Sequence, residues 1–331
     1  MKEDQIRPKK IFDEYLELSK KDITKFFSSA DNRVNIDCPA CKSKDHISEF
    51  SKNNFGLNTC INCYSLYVSP RPKKKDLDKF YQDSESTSFW ATVFFPSVAE
   101  ARRELIFKQR VKNVYDYCKK NQLAHKNLID IGAGYGLFLE EWRLISPDDN
   151  LYALEPGQEL AKICRSKNFE TLEKFSENAA EWENKADILT SFEVFEHVFS
   201  PYEFTLSLFK MLKPGGTAVV SGLTVDGFDI QFLWEKSKSI SPPHHLNFLS
   251  LKGLVKLFER VGFVDIEVQT PGKLDFDIVK NSISPTVELK GKQRFIHTII
   301  ERGKKAEEDF QSFLKENKMS SHFWVYAKKK K

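Results

Sequence analysis

Two groups of side chains in this sequence have the types and spacing to do chemistry. The first is Cys38-Pro-Ala-Cys41 with Cys60-Ile-Asn-Cys63, two C-x2-C knuckles with residues 42–59 between them. Two tight turns that each present two thiolates make a tetrahedral sulfur set, the coordination that suits a structural zinc ion. A redox pair or an iron–sulfur cluster are other uses of such thiols. Two knuckles so close in a short segment favour an ion that supplies folding energy. The second group is Glu193, Glu196 and His197 in one segment and Ser241-Pro-Pro-His-His-Leu-Asn-Phe-Leu-Ser250 in another. Carboxylates and imidazoles on loops at strand ends can take a proton from a bound substrate. His245 is the favoured base, because it precedes a helix and the adjacent prolines fix its loop; the other reading is a surface or capping histidine. His244 then shapes the loop, while Glu193 and His197 equally suit a role in positioning.

The elements that must hold these groups begin with Leu128-Ile-Asp-Ile-Gly-Ala-Gly-Tyr-Gly-Leu-Phe-Leu139. The apolar run around Asp130 reads as a buried parallel strand. Gly132, Gly134 and Gly136 then make a turn, and the apolar residues after them open a helix under a ligand. A dinucleotide fingerprint wants its third glycine at position 137, where this chain has Leu137. Next, Asn150-Leu-Tyr-Ala-Leu-Glu155-Pro reads as a second strand ending in a carboxylate, which can accept both hydroxyls of a ribose. The glycines let a ligand approach the backbone without a Cβ clash. The helix start near Tyr135 aims its N–H groups at a carboxylate rather than a pyrophosphate.

Further along, Ala186-Asp-Ile-Leu-Thr-Ser-Phe-Glu-Val-Phe-Glu-His-Val198 is a buried strand running into a polar loop. Met211-Leu-Lys-Pro-Gly-Gly-Thr-Ala-Val-Val-Ser221 then places turn chemistry before another strand. The G-x-G-x-G turn, the acidic strand end, the E-H-V loop and the K-P-G-G turn, in that order, resemble the class I S-adenosylmethionine-dependent methyltransferases over roughly residues 100 to 270. The resemblance implies an α/β, Rossmann-like seven-stranded sheet. It also implies S-adenosylmethionine as cofactor, bound by Asp130, Gly132, Gly134, Gly136, Glu155 and Phe192. Methyl transfer from such a cofactor is an in-line displacement, so the protein must align the acceptor and, for a hydroxyl or carbon acid, remove its proton.

At 331 residues the chain suffices for one large domain and a small one. We expect an N-terminal helix over 1–32, a zinc ribbon over 33–75, a helical linker or lid over 76–125, the methyltransferase core over 126–272, and a helical insertion with the last strand over 273–331. Strand-like alternation at His322–Ala327 supplies that strand at the very C-terminus. The segment Phe89-Trp-Ala-Thr-Val-Phe-Phe-Pro96 either packs against the core or forms a lid, with Arg102 and Arg103 available to phosphate. Cys118 and Cys164 lie on helical patterns as small buried apolar residues. The net charge of +4, with both signs interspersed, reads as a solvated surface, so Arg71–Lys75 and Lys328–Lys331 are solvated ends and nucleic acid is disfavoured as a partner. The charged N-terminus is no signal peptide and no apolar run is long enough to span a membrane, so a cytoplasmic protein with reduced thiols is expected.

The ribbon, the aromatic linker, the core and the histidine loop before F-L-S-L together look like the C-methyltransferases of nucleotide-linked deoxysugars. In that group the loop reads roughly Tyr-His-Glu-His. Aligning its last histidine with His245 puts His244 where the glutamate stands and Pro242 where the tyrosine stands. The resemblance implies a small-molecule acceptor, a sugar or surface-glycan precursor that could be nucleotide-linked. The rival is a zinc-ribbon RNA methyltransferase, whose ribbon should be basic; here Lys42, Lys44 and Lys52 are offset by Asp37, Asp45 and Glu49. A non-catalytic scaffold would have lost the cofactor groups, yet Asp130, Gly132, Gly134 and Glu155 are all in place.

Overall fold

Apolar strands alternating with amphipathic helices assemble one large sheet from residue 127 onward. The computed structural model describes residues 2–29, 32–283 and 292–331. Its strands are β1 (Arg33–Val34), β2 (His46–Lys52), β3 (Phe55–Cys60), β4 (Leu66–Val68), β5 (Arg71–Pro72), β6 (Asn127–Ile131), β7 (Asn150–Leu154), β8 (Glu170–Leu172), β9 (Ala186–Ser191), β10 (Leu212–Leu223), β11 (Asn247–Phe248), β12 (Phe263–Gln269) and β13 (His322–Lys329). The seven-stranded sheet runs β12-β13-β10-β9-β6-β7-β8. Strands β8, β7, β6, β9 and β10 are parallel, and β13 lies antiparallel between β10 and β12. Leu128, Ile129 and Ile131 of β6 are all buried, as a strand covered by helices on both faces requires. Strand order reverses between β6 and β9, and the crevice outside the carboxyl ends of such strands is where α/β sheets bind ligands.

This is the expected Rossmann-like sheet, with its last strand at the C-terminus. Helices Asp275–Ser282, Lys292–Glu301 and Lys304–Glu316 form the insertion between β12 and β13. Val279, Ile296 and Ile299 of the insertion share a core with Ile6 and Leu233. The part of the insertion at 284–291 lies outside the described residues, as do residues 30 and 31 of the N-terminal segment. No described helix is long and apolar enough to cross a membrane.

The ribbon is built into the fold rather than tethered to it. Strands β2, β3 and β4 form an antiparallel sheet whose other edge strand is β11, from the far end of the sequence. Asn247 pairs with Tyr67 and Phe248 with Leu66, two and three residues after His245. Phe55, Leu57, Leu66 and Val68 share one core with Leu223, Leu246 and Phe248.

Two expectations for the basic runs are corrected. Arg71 is 1% exposed, not a solvated end. Its guanidinium donates to the carbonyls of Val68 (3.2 Å) and Phe199 (2.5 Å) and to Asn247 Oδ1 (3.1 Å), and burial pushes its pKa down to about 9. Three carbonyl acceptors offset the cost of burying the cation, and they tie the ribbon to the loops at both ends of the candidate site. Arg71→Met should therefore cost about 2–5 kcal/mol of stability in urea unfolding, because it orphans these acceptors. A cost under about 0.5 kcal/mol would mean the cross-link is slack. At the other run, Lys328 and Lys329 belong to β13, and the Lys329 ammonium donates to the Leu212 carbonyl at 2.8 Å.

Candidate functional site

The glycine turn closes β6 onto its helix. Gly132, Gly134 and Gly136 have φ of +69°, +54° and +69°, left-handed values that disfavour any side chain. A Cβ at Gly132 would lie 2.5 Å from Val194 Cγ2, so the loop after β9 packs directly on the turn. The helix begins at Leu137, with Gly136 as its N-cap. Glu155, 7% exposed, accepts the Gly134 N–H with Oε2 and the Gly157 N–H with Oε1, both at 2.8 Å. Burial raises its pKa and these two bonds oppose the rise. Each carboxylate oxygen keeps a lone pair for a hydroxyl. Asp130 accepts the Thr190 hydroxyl at 2.7 Å, and burial pushes it up to about 7 against the pull of that bond and of Arg110. Phe192 packs between Phe138 and Trp324, with centroids 5.0 and 5.3 Å away, and the Arg110 guanidinium stands 4.8 Å over its ring. Cys118 and Cys164 are buried as expected, with Cys164 Sγ 3.2 Å from the Gly134 carbonyl.

The two segments that could remove a proton meet beside this turn. His197 and His245 lie with ring centroids 4.6 Å apart at 78°. His197 Nδ1 is 2.9 Å from the His244 carbonyl, and His245 Nδ1 is 2.6 Å from the Ser239 carbonyl. A carbonyl can only accept, so both Nδ1 atoms carry the proton and each neutral ring keeps an Nε2 lone pair. Burial lowers His197 to about 4 and holds His245 well below the usual imidazole value, so both are unprotonated at neutral pH. His244 is buried among Tyr15, Phe80 and Tyr81, and its Nε2 has no hydrogen-bond partner among the described residues.

Glu193 takes φ +58° two residues after the end of β9. Its Oε1 accepts from Ser221 Oγ (2.7 Å) and Arg110 (2.9 Å), and its Oε2 faces His322 Nε2 at 3.3 Å. Burial alone would raise this carboxyl, but His322, Arg110 and Ser221 hold it well below the ordinary carboxylate range. It is thus fully engaged in a charged network and suits positioning. Glu196 is also buried, its Oε2 has no hydrogen-bond partner among the described residues, and burial with the neighbouring Glu193 charge pushes it up to about 8. Sequence reasoning did not assign Arg110, Ser221, His322 or Tyr81 to this site. Tyr81 donates to the His244 carbonyl at 3.0 Å, a tyrosine reaching the histidine loop from the linker rather than from the loop itself. No local pattern marks these four, because each arrives through a contact distant in sequence.

The aromatic linker segment covers the turn. Phe95 stacks on Tyr135 at 4.7 Å, the Tyr135 hydroxyl donates to the Ala91 carbonyl, and Trp90 stacks on Phe94 at 4.2 Å with Tyr15 against its edge. Arg103 is not available to phosphate, since it is paired with Glu140 and Glu141, each at 2.7 Å. Arg102 lies 5.5–6.0 Å over the rings of Trp90, Phe94 and Phe95.

The four ribbon sulfurs converge. Cys38 and Cys63 Sγ are 3.5 Å apart, as are Cys41 and Cys60, and all four lie within 4.8 Å of one another. Zinc–sulfur bonds of about 2.3 Å in a tetrahedron place sulfurs about 3.8 Å apart, so this donor set fits the ion. Beneath the knuckle, Ser250 donates its N–H to Ser65 Oγ at 3.1 Å and its hydroxyl to the Cys63 carbonyl. The cysteine cluster and the histidine loop are therefore held to each other.

A family profile described as a methyltransferase domain matches residues 99–268. Among curated proteins, the ubiquinone biosynthesis O-methyltransferase of Proteus mirabilis (strain HI4320) is 31% identical over 101 residues, 28% of this chain and 40% of that protein. Its namesake from Rickettsia prowazekii (strain Madrid E) is 28% identical over 159 residues, 45% of this chain and 58% of that protein. The chain thus spans about half the length of these relatives. Among solved structures, the plantazolicin methyltransferase BamL, in complex with a triazolic desmethylPZN analog and SAH, superposes with a TM-score of 0.51 at 13% identity. That alignment covers 77% of this chain and 94% of BamL, and it bears on the fold alone.

Proposed function

This chain belongs to the methyltransferase domain family, and from that premise we propose that it transfers the methyl group of S-adenosylmethionine to a small-molecule acceptor. The observation that carries the reading is the turn itself: three left-handed glycines folded around the buried Glu155 carboxylate, at the carboxyl ends of β6 and β7. We assign the cofactor's ribose to Glu155, its methionine end to the turn, and its surroundings to Asp130 and Phe192. One zinc ion held by Cys38, Cys41, Cys60 and Cys63 supports the histidine loop through β4 and β11.

For the acceptor we propose a sugar or surface-glycan precursor, on the resemblance of the ribbon, linker and histidine loop to deoxysugar methyltransferases. Oxygen as the methylated atom draws support from the names of the curated relatives, which are O-methyltransferases. RNA is less favoured, because the ribbon's Lys42, Lys44 and Lys52 are offset by Asp37, Asp45 and Glu49.

Removal of the acceptor's proton is assigned to His245, whose Nε2 lone pair is unprotonated at neutral pH. His245→Ala should lower turnover by roughly 10²–10⁴-fold while leaving cofactor affinity within about threefold, the range for losing a general base. His244→Ala should cost less. Single-turnover assays on extracts of candidate nucleotide sugars, read by mass spectrometry, test both acceptor and residue. Near wild-type rates in both variants would move the role to His197, since both Glu193 oxygens are already engaged.

A further inference from the structure

We propose that Glu196, His197 and His245 form a second metal site, one that takes a divalent first-row transition cation. The site's role rests on the methyl-transfer reading above, although its capacity to bind the ion does not. One ligand atom from each of the three residues lies within 4.8 Å of the other two. Ligands about 2.1 Å from such an ion sit roughly 3.0–3.5 Å apart, so no pair needs to close by more than about 1.8 Å. That is within reach of side-chain rotation.

Three features of the donors point to a cation rather than to a cluster formed by chance. Both histidines are fixed by a backbone carbonyl, His244 for His197 and Ser239 for His245, bonded to Nδ1. Metal-bound histidines almost always donate their second N–H in this way, which sets the tautomer and aims the other nitrogen. The third residue, Glu196, is 2% exposed, and its Oε2 has no hydrogen-bond partner among the described residues. A buried carboxyl with an unpaired oxygen either keeps its proton or takes a cation in its place, and two imidazoles within reach supply the other ligands such a cation needs. Glu196 is also distinct from its neighbour Glu193, whose two oxygens are already taken by Ser221, Arg110 and His322.

Two imidazoles and one carboxylate leave the remaining positions of a six-coordinate ion open. An acceptor hydroxyl bound there loses its proton to water more readily. Its oxygen then forms the new bond to the methyl carbon as the carbon–sulfur bond breaks, and S-adenosylhomocysteine leaves. With the ion bound, the His245 Nε2 lone pair is taken up in holding it, so water replaces His245 as the base assigned above and His245 acts on the proton only through the ion. The donor set differs in kind from the four thiolates of the ribbon, so the two sites select different ions.

The test uses the full chain with its ribbon loaded with zinc. Co2+ titrated into this protein should occupy one further site, with weak visible bands and without the intense near-ultraviolet bands of cobalt–sulfur bonds. Glu196→Gln, His197→Ala and His245→Ala should each weaken that binding by at least roughly 100-fold, beyond the 10–100-fold cost of losing an outer partner. Zinc content should stay at one per chain in all three. S-adenosylmethionine binding, measured by calorimetry on the same samples, reports folding and separates the two readings. If the wild type binds cofactor but no Co2+ beyond the ribbon, or if Co2+ affinity is unchanged in the histidine variants, the cation site is overturned and methyl transfer stands. If cofactor fails to bind to folded wild type, methyl transfer falls while the Co2+ result still decides the site.

Discussion

Glu155→Ala is expected to weaken S-adenosylmethionine binding by roughly 10²- to 10⁴-fold in calorimetry. Two ribose hydroxyls donating to a carboxylate, at about 1.5–3 kcal/mol each, give that range. The same carboxylate also accepts the Gly134 and Gly157 N–H groups, so its loss relaxes the turn as well. Glu155→Gln keeps one acceptor oxygen and should fall between. Gly132→Val reaches the same end by another route: its Cβ would meet Val194 at 2.5 Å, and φ of +69° strains a β-branched residue. Thermal melting of each variant separates lost binding from lost fold. Two folded variants with wild-type affinity would remove the turn from the cofactor site.

Replacing Cys60 by serine should have the second large effect, on stability and activity together. Elemental analysis of reduced wild-type protein should give one zinc per chain, and the variant should lose it. Structural zinc sites contribute apparent binding free energies of about 10–16 kcal/mol in isolated fingers. Here part of that term should persist as packing, since Cys60 and Cys63 are buried in the same core as Leu249 and Leu254. Loss of the ion should loosen β4, and with it β11 and the loop that carries His245. Turnover should therefore fall even though no cysteine touches the reacting atoms, while S-adenosylmethionine binding falls less. Unchanged melting and activity in a zinc-free variant would show that the ribbon does not hold the loop.

The features that sequence carried well are those whose cause lies within a few residues. Glycine at alternate positions has one physical use here, three left-handed turns in succession, so Gly132, Gly134 and Gly136 were readable before any contact was known. The cysteine knuckles are likewise local turns, and the apolar runs of β6, β7, β9 and β10 had no alternative to burial between helices. The strand over His322–Ala327 was legible from its alternation, though neither its extension to Lys329 nor the His322–Glu193 pair was.

What only the tertiary structure decided is which distant groups share one small volume. Lysine and arginine runs look solvated in sequence because most are. Arg71 is buried because Val68, Phe199 and Asn247 happen to converge on it from three segments. Arg103 is likewise withdrawn from any phosphate by carboxylates nearly forty positions away. The tautomers of His197 and His245 follow from carbonyls placed by chain packing, and the orphaned oxygen of Glu196 is orphaned only once the loop folds over it. Backbone conformation is constrained by nearest neighbours and so is written locally. Protonation, pairing and burial are set by what else fills the space, which a linear order of residues does not contain.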